Sequence, residues 1–178
     1  MLGAILKKEA CAECRFCCAF RKTSLWEVPV FTRENTEAIK KNQNLDSSVL
    51  VPLDKRLFGN TETDIADYLS DYSVYDLTDC YQTDDPEEEV PCPYLGRNGC
   101  VLSAEEKPWD CKIWPLRVMR TEGGEVVIAL TPTCPEINKI NLNDVKKFVN
   151  ENLRDELLSY AKSHPYLIKE YREDFPIL

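Results

Sequence analysis

Residues 11–18 read CAECRFCC, a C-x-x-C-x-x-C-C run that places four cysteines within eight positions. Spacing by two residues lets neighbouring thiolates turn inward on one metal centre, while backbone amides point at the sulfurs and stabilise their charge. Cys17 and Cys18 are adjacent, and adjacent side chains tend to diverge. We therefore expect one of the two to bind metal in this centre and the other to serve a second site or none.

The remaining cysteines lie far from this head. The first three head cysteines have the spacing that holds three corners of a [4Fe–4S] cluster in bacterial ferredoxins, so the fourth corner must come from elsewhere in the chain. Ferredoxin runs end in Cys-Pro, and here Cys92 and Cys134 are each followed by proline. We therefore expect the head to meet the middle of the chain in space. Cys80 lies outside both groups and is predicted not to be a ligand.

Zinc is the alternative occupant. Four thiolates arranged as a tetrahedron make a closed structural zinc site, and C-x-x-C is the commonest half of such a site. A zinc ribbon has two C-x-x-C halves, whereas the downstream cysteines here follow the spacing C-x7-C from Cys92 to Cys100 and C-x10-C from there to Cys111. The spacing therefore favours an iron–sulfur cluster, most simply [4Fe–4S], over zinc.

Composition narrows the class of protein. The 178 residues carry nine cysteines and a net charge of −9, with basic residues scattered along the chain. No secretion signal is readable, so the thiols are expected to be reduced in the cytoplasm rather than joined in disulfides. The charge argues against a nucleic-acid partner. No run approaches the about 20 apolar residues of a membrane span, so no membrane partner is expected.

The pattern predicts a small, metal-stabilised α+β single domain over residues 1–178, with a cysteine core at 11–135 and a C-terminal helical segment at 141–173. Thr32 is placed to cap a helix over 33–43, and an extended segment is expected at 26–31. Gly123-Gly124 suits the turn of a β-hairpin. Further predicted elements are a strand at 49–53, a helix at 62–70, hairpin strands at 116–120 and 125–130, and a helix from Asn141 or Asn143 whose apolar stripe runs from Val145 to Ala161 and which ends at His164-Pro165.

Other candidate sites have ordinary structural interpretations. The acidic run at 84–89 is a solvated surface, and a protein partner on the acidic surface is the one binding role it could carry. His164 is the only histidine and sits at a predicted helix end, so no Ser-His-Asp or Cys-His catalytic group is predicted. Trp109 and Trp114 flank Cys111 and are expected to shield it from water or to belong to the core. No nucleotide-binding motif is present.

Taken together, the head, CPYL from Cys92, GCVL around Cys100 and PWDCKIWP around Cys111 resemble the YkgJ-type CxxCxxCC family, described as a zinc- or iron-chelating domain. The resemblance spans residues 11–135. This chain has Lys107-Pro108-Trp109 and Lys112 where the family usually has an aromatic, Arg-Pro and Arg, which keeps the charge but loses the guanidinium fork. The resemblance implies metal ligands drawn from Cys11, Cys14, Cys17, Cys18, Cys92, Cys100, Cys111 and Cys134.

These observations favour a metal-chelating protein that binds an iron–sulfur cluster and has a redox or accessory role. Two alternatives stay open. One is a zinc-stabilised domain that binds a protein partner through its acidic surface. The other is an enzyme or enzyme accessory, because a similar domain occurs within flagellin lysine methylases, which implies a link to protein methylation.

Overall fold

The computed structural model describes residues 5–6, 8–53, 71–77 and 79–178, apart from the side chains of residues 8, 9 and 11. The chain mixes helices and strands, in agreement with the predicted α+β class. The helices are α1 (Lys8–Cys14), α2 (Arg33–Lys41), α3 (Trp109–Ile113), α4 (Leu142–Asn152) and α5 (Arg154–Ser163). The strands are β1 (Ala19–Arg21), β2 (Phe31–Thr32), β3 (Leu50–Pro52), β4 (Tyr72–Tyr75), β5 (Glu89–Pro91), β6 (Leu95–Gly96), β7 (Gly99–Cys100), β8 (Leu116–Arg120), β9 (Val126–Leu130) and β10 (Lys169–Glu170).

The backbone divides into two compact units. We call Arg15–Lys112 the cysteine unit, and Met1–Cys14 together with Ile113–Leu178 the hairpin unit. Whether the two fold as the one domain expected over residues 1–178 stays a prediction. Among the helices that the structure describes, none is long and apolar enough to cross a membrane.

The cysteine unit is built on three small antiparallel sheets, ordered β2-β4-β3, β1-β5 and β6-β7. β4 is the middle strand of the first sheet, and its side chains Tyr72, Val74 and Tyr75 are buried. Its partner β2 lies at an edge, but the predicted extended segment at 26–31 is only partly correct, because a 3-10 helix covers Lys22–Glu27. The predicted strand at 49–53 is confirmed by β3.

The cap predicted at Thr32 is confirmed. Its hydroxyl accepts a hydrogen bond from the Asn35 amide while the Asn35 side chain accepts one from the Thr32 amide, so α2 begins in a capping box. The Asn35 amide group also donates to the backbone carbonyls of Glu105 at 2.7 Å and Lys107 at 3.3 Å. The start of α2 thereby holds the segment that leads into α3.

The predicted hairpin is confirmed in the hairpin unit. β8 and β9 pair in register from Leu116–Leu130 to Arg120–Val126, and Gly124 in the turn has a φ of 84° that favours glycine. β10 lies parallel to β8 on one side. On the other side, the segment at 176–178 hydrogen-bonds to β9, with the Leu178 amide donating to the Ile128 carbonyl at 2.9 Å. Both edges of the β8–β9 pair are therefore hydrogen-bonded to other segments of the chain.

The single C-terminal helix expected from the apolar stripe is wrong, because two helices occupy this stretch. α4 begins at the predicted cap Asn141 and gives way to α5 at Leu153, whose backbone leaves the helical region at φ −127°. Just before the break, the Asn150 and Asn152 side chains donate to backbone carbonyls one turn back, a competition that weakens helix propagation. The end at His164 is confirmed. The helix predicted at 62–70 lies outside the described residues.

Candidate metal centre

Cys17 and Cys18 follow a sharp backbone turn at Arg15. α1 ends at Cys14, and Arg15 then adopts the left-handed conformation with φ 54° and ψ 4°, which is uncommon for a residue with a Cβ. The Arg15 guanidinium donates to the Arg97 carbonyl at 2.6 Å, and the Cys18 amide donates to the Arg15 carbonyl at 2.9 Å. The turn interrupts the C-x-x-C-x-x-C run, so its third cysteine does not continue the helix that carries the first two.

Cys18 lies beside Cys92. β1 and β5 pair antiparallel with Ala19 opposite Pro91, and the next pair along the ladder is Cys18 with Cys92, where the Cys92 amide donates to the Cys18 carbonyl at 2.7 Å. The chain thus brings a cysteine of the head next to one of the middle. The expectation that head and middle meet in space is confirmed for this pair.

A tight hairpin returns Cys100 to the same neighbourhood. The Leu95 amide donates to the Cys92 carbonyl at 2.9 Å, and β6 then pairs with β7 so that Leu95 lies opposite Cys100. Gly96 is required here, because a Cβ on it would lie 2.6 Å from a methyl carbon of Val101. Gly99 turns the chain with a φ of 103°. The C-x7-C spacing is therefore the length of this hairpin.

Cys111 lies in α3, and this helix is held in place by Asp110, the residue before Cys111. The buried Asp110 carboxylate accepts a hydrogen bond from the Val30 amide at 3.2 Å, and the Cys111 amide donates to the Pro108 carbonyl. Cys111 is exposed to solvent, yet the protein atoms packed around it desolvate its thiolate.

The charges of neighbouring cysteines act on two of the clustered thiols, Cys92 and Cys111. Desolvation raises the pKa of Cys92 to about 11, and the charges of Cys18 and Cys100 contribute to the increase. Desolvation also raises the pKa of Cys111 well above its usual range, with added contributions from Asp110 and then from the other three cysteines. The effect of one charge on the pKa of another group falls off with the distance between them. The four cysteines therefore share one neighbourhood within the cysteine unit.

Cys18 differs from the others because it is surrounded by donors and cations. A hydrogen bond from Cys17, helped by the charges of Lys107 and Arg15, lowers the pKa of Cys18 to about 7 in spite of its partial burial. Cys17 is thus close enough to Cys18 to favour its thiolate. Which of the two adjacent cysteines binds metal stays a prediction.

Tyr75 is a buried residue that contacts Cys92. The protonated Cys92 thiol donates a hydrogen bond to the Tyr75 hydroxyl oxygen, which lies 3.2 Å from the sulfur. Burial, followed by the charges of Cys92, Cys111 and Cys100, raises the pKa of Tyr75 far above its usual value. The Tyr75 ring packs against three other aromatic rings, those of Phe20, Phe31 and Tyr94. Sequence patterns do not predict this contact, because Tyr75 is distant from Cys92 in the sequence and reaches it only through the fold.

The other predicted ligands belong to the hairpin unit. Cys14 is exposed and contributes weakly to a raised pKa of Lys139, which is caused mainly by Glu136. Cys134 is buried just before a 3-10 helix at Ile137–Lys139. Cys11 lies in α1, and its side chain is among those not described. Sequence spacing treats all eight cysteines alike, whereas the described structure brings together Cys17, Cys18, Cys92, Cys100 and Cys111.

Residues outside the expected ligand set have structural surroundings. Cys80 lies in an exposed turn, with its sulfur 3.9 Å from the Asp76 carbonyl. It follows β4, which ends at Tyr75. His164 stacks on Tyr160 with ring centroids 4.4 Å apart at the end of α5. Trp109 is buried, whereas Trp114 is half-buried with the Arg117 guanidinium 4.6 Å from its ring centre. These contacts fit the ordinary structural interpretation of each residue.

The thiols are neighbours without being arranged around a single ion. Across the described ranges, no three Cys, His, Asp or Glu side chains form a ready metal-ion site. The donor set itself is chemically consistent with soft metals, because thiolates are the ligands that zinc and iron–sulfur clusters prefer. No family model matches the chain, and neither the curated proteins nor the solved structures contain a significant match to it.

Proposed function

We propose that this chain binds a metal centre through Cys18, Cys92, Cys100 and Cys111, and that the centre is an iron–sulfur cluster. The observation that carries the proposal is the 2.7 Å backbone hydrogen bond that sets Cys18 beside Cys92. Cys100 is close enough for its charge to raise the pKa of Cys92, and Cys92 is close enough for its charge to raise the pKa of Cys111. A cluster held there would stabilise the α+β fold by tying together segments that are distant in sequence.

The electrostatics support a bound cation. Burial and neighbouring thiolates oppose the ionisation of Cys92 and Cys111, so these two sulfurs hold protons that a metal would displace. A metal centre supplies the positive charge that makes all four thiolates favourable together. Lys107 and Arg15 near Cys18 offset the negative charge that a four-thiolate centre retains. The reducing cytoplasm expected for this chain would keep the thiols available.

An iron–sulfur cluster is preferred over zinc because the downstream cysteines follow C-x7-C and C-x10-C spacings, which are not the paired C-x-x-C halves of a zinc ribbon. The proposed set draws one ligand, Cys18, from the head, next to the three cysteines that have ferredoxin spacing. The corresponding role is redox or electron transfer, or an accessory role beside an enzyme such as a protein methylase. Zinc in the same ligands would make a structural site.

The acidic loop favours the second candidate, a zinc-stabilised domain that binds a protein partner. Arg21 forms ion pairs with Glu87 and Glu89, and the Glu88 carboxylate accepts hydrogen bonds from the Gln82 and Thr83 amides at 2.6 and 2.8 Å. The loop is thus held in one conformation with carboxylates on its surface. A fixed acidic surface suits a basic partner.

The test is metal analysis of protein purified without oxygen. We expect iron and inorganic sulfide in nearly equal amounts, with the broad visible absorption of a cluster. Cys92→Ser should abolish or strongly reduce the metal content, while Cys80→Ser should leave it at the wild-type level, because Cys80 lies in an exposed turn with its sulfur against the Asp76 carbonyl. Zinc without iron would overturn the cluster but keep the centre. Equal metal loss in both variants, or no metal in the wild type, would refute the site.

A further inference from the structure

We propose that Tyr75 is a positioning residue for the metal centre, whose hydroxyl donates a hydrogen bond to the Cys92 sulfur and so withdraws electron density from that ligand. The inference rests on the proposed function, since it concerns Cys92 as a metal ligand. The distance between the Tyr75 oxygen and the Cys92 sulfur is 3.2 Å, within the range for a hydrogen bond to sulfur.

The direction of the hydrogen bond follows from the chemistry of the two groups. A metal-bound cysteine has lost its proton, so its sulfur can only accept. The tyrosine hydroxyl is both donor and acceptor when free, and opposite a thiolate it must donate. Hydrogen bonds that involve an ionised partner are stronger than those between neutral groups. The contact therefore gains strength when the centre is formed.

The fold holds this hydroxyl in place. Tyr75 is 4% exposed and lies at the end of β4, the middle strand of its sheet, opposite Leu50 of β3. Its ring meets those of Phe31 at 5.1 Å and Tyr94 at 5.7 Å between centroids. A ring packed on several sides has little freedom to rotate its hydroxyl away from Cys92. The hydroxyl is thus a fixed feature of the site.

The consequence depends on the electron density at the ligand sulfur. Hydrogen bonds to the sulfurs are among the factors that set the potential of an iron–sulfur cluster, because they stabilise the more negative, reduced state. With zinc in place of a cluster, the same bond lowers the nucleophilicity of the thiolate. Removing the hydroxyl should shift the potential to more negative values in the first case, and speed alkylation of Cys92 in the second.

Tyr94 offers a matched control. Its ring belongs to the same aromatic group and is 3% exposed, but its hydroxyl donates to the Asp46 backbone carbonyl at 2.8 Å. Tyr75→Phe and Tyr94→Phe each remove one hydroxyl and keep a ring. Only the first removes a hydrogen bond to a proposed ligand.

The experiment compares wild type, Tyr75→Phe and Tyr94→Phe, each purified without oxygen and analysed for iron, sulfide and zinc. Iron-loaded proteins are titrated for midpoint potential, and zinc-loaded proteins are alkylated with iodoacetamide and mapped by mass spectrometry. We expect normal metal content in all three. Only Tyr75→Phe should show a more negative potential, or several-fold faster alkylation of Cys92.

Two results would overturn the inference, and they are distinguishable. If metal-loaded Tyr75→Phe has the same midpoint potential or Cys92 alkylation rate as wild type and Tyr94→Phe, the role of Tyr75 is refuted. The proposed metal centre is then unaffected. A wild-type chain that holds neither metal refutes the proposed function and the inference with it. Denaturant unfolding of the metal-free proteins tests for a packing defect. If Tyr75→Phe acts only through its hydrogen bond to Cys92, it should be no less stable than Tyr94→Phe.

Discussion

At the scale of single residues, Cys18 and Cys92 differ chemically although their backbones are hydrogen-bonded. Cys18 receives a hydrogen bond from Cys17 and lies near Lys107, so its pKa falls to about 7. Cys92 is desolvated and faces other thiolates, so its pKa rises to about 11 despite the hydrogen bond with Tyr75. The immediate surroundings of each sulfur, and not its place in the spacing pattern, set its ionisation.

This difference predicts the order in which the metal-free thiols react. At pH 7 about half of Cys18 is ionised and only about one Cys92 in ten thousand, given a factor of ten per pH unit below the pKa. Since the thiolate is the nucleophile and both residues are half-buried, iodoacetamide should label Cys18 at least about tenfold faster. Peptide mass spectrometry at limiting reagent measures the two rates.

The pH dependence of the two rates has a definite sign. Between pH 7 and pH 9 the Cys92 rate should climb about tenfold per unit, whereas the Cys18 rate should rise no more than about twofold, because about half of Cys18 is already ionised at pH 7. Cys17→Ala removes the main cause of the low Cys18 pKa and should slow its labelling at pH 7. Faster labelling of Cys92 than of Cys18 at neutral pH would contradict the assigned surroundings.

At the scale of secondary-structure elements, the beginning of α2 links helix stability to the site. The Thr32 hydroxyl satisfies an amide at the start of the helix, and the Asn35 side chain that completes the capping box also holds the carbonyls of Glu105 and Lys107. That segment leads directly to Cys111 in α3. The start of α2, which the local sequence determines, therefore helps to orient Cys111 of the metal site.

Thr32→Ala should lower the free energy of unfolding by about 1 kcal/mol, because it leaves a helix amide without its capping acceptor. Thr32→Ser keeps the hydroxyl and is the matched control, expected within a few tenths of a kcal/mol of wild type. Denaturant unfolding followed by circular dichroism, with all proteins in the same metal state, gives the comparison. Equal stability of the alanine and serine variants would show that this cap contributes nothing measurable.

At the scale of the whole molecule, the two units should respond differently to loss of metal. The cysteine unit has short sheets, two of them with strands of only two or three residues around Cys18, Cys92 and Cys100. The hairpin unit has the five-residue pair β8 and β9, whose inner residues are buried, together with α4 and α5. The strand pairing around the cysteines is therefore shorter than that in the hairpin unit.

Hydrogen exchange on chelated protein tests this difference. Amides of β1, β5, β6 and β7 should exchange much faster than in the metal-loaded protein, because metal–thiolate bonds contribute on the order of 10 kcal/mol to folding in small metal-stabilised domains. Amides of β8, β9 and residues 145–160 should stay protected. Protection unchanged throughout would mean that metal does not hold the cysteine unit together.

Prediction from sequence succeeded where a local pattern decides the structure. The Thr32 cap, the strand near residue 50, the hairpin with its Gly123-Gly124 turn and the helix end at His164 all depend on residues close in sequence. The break at Leu153 was missed because Val145, Val149, Leu157 and Ala161 keep a helical four-residue step on both sides of it. Apolar periodicity reports which side is buried, and it does not report whether the backbone is continuous.

For the site, the sequence by itself determined which thiols are available, that they are clustered at two places, and that those places should meet. The tertiary structure decided that Cys18 is the head residue beside Cys92, that Cys17 supports it, and that Tyr75 lies beneath them. The physical reason is that β1 pairs with β5, and β4 takes the middle of a sheet, through burial and hydrogen bonding of segments far apart in the chain. Spacing along the sequence carries no information about those pairings.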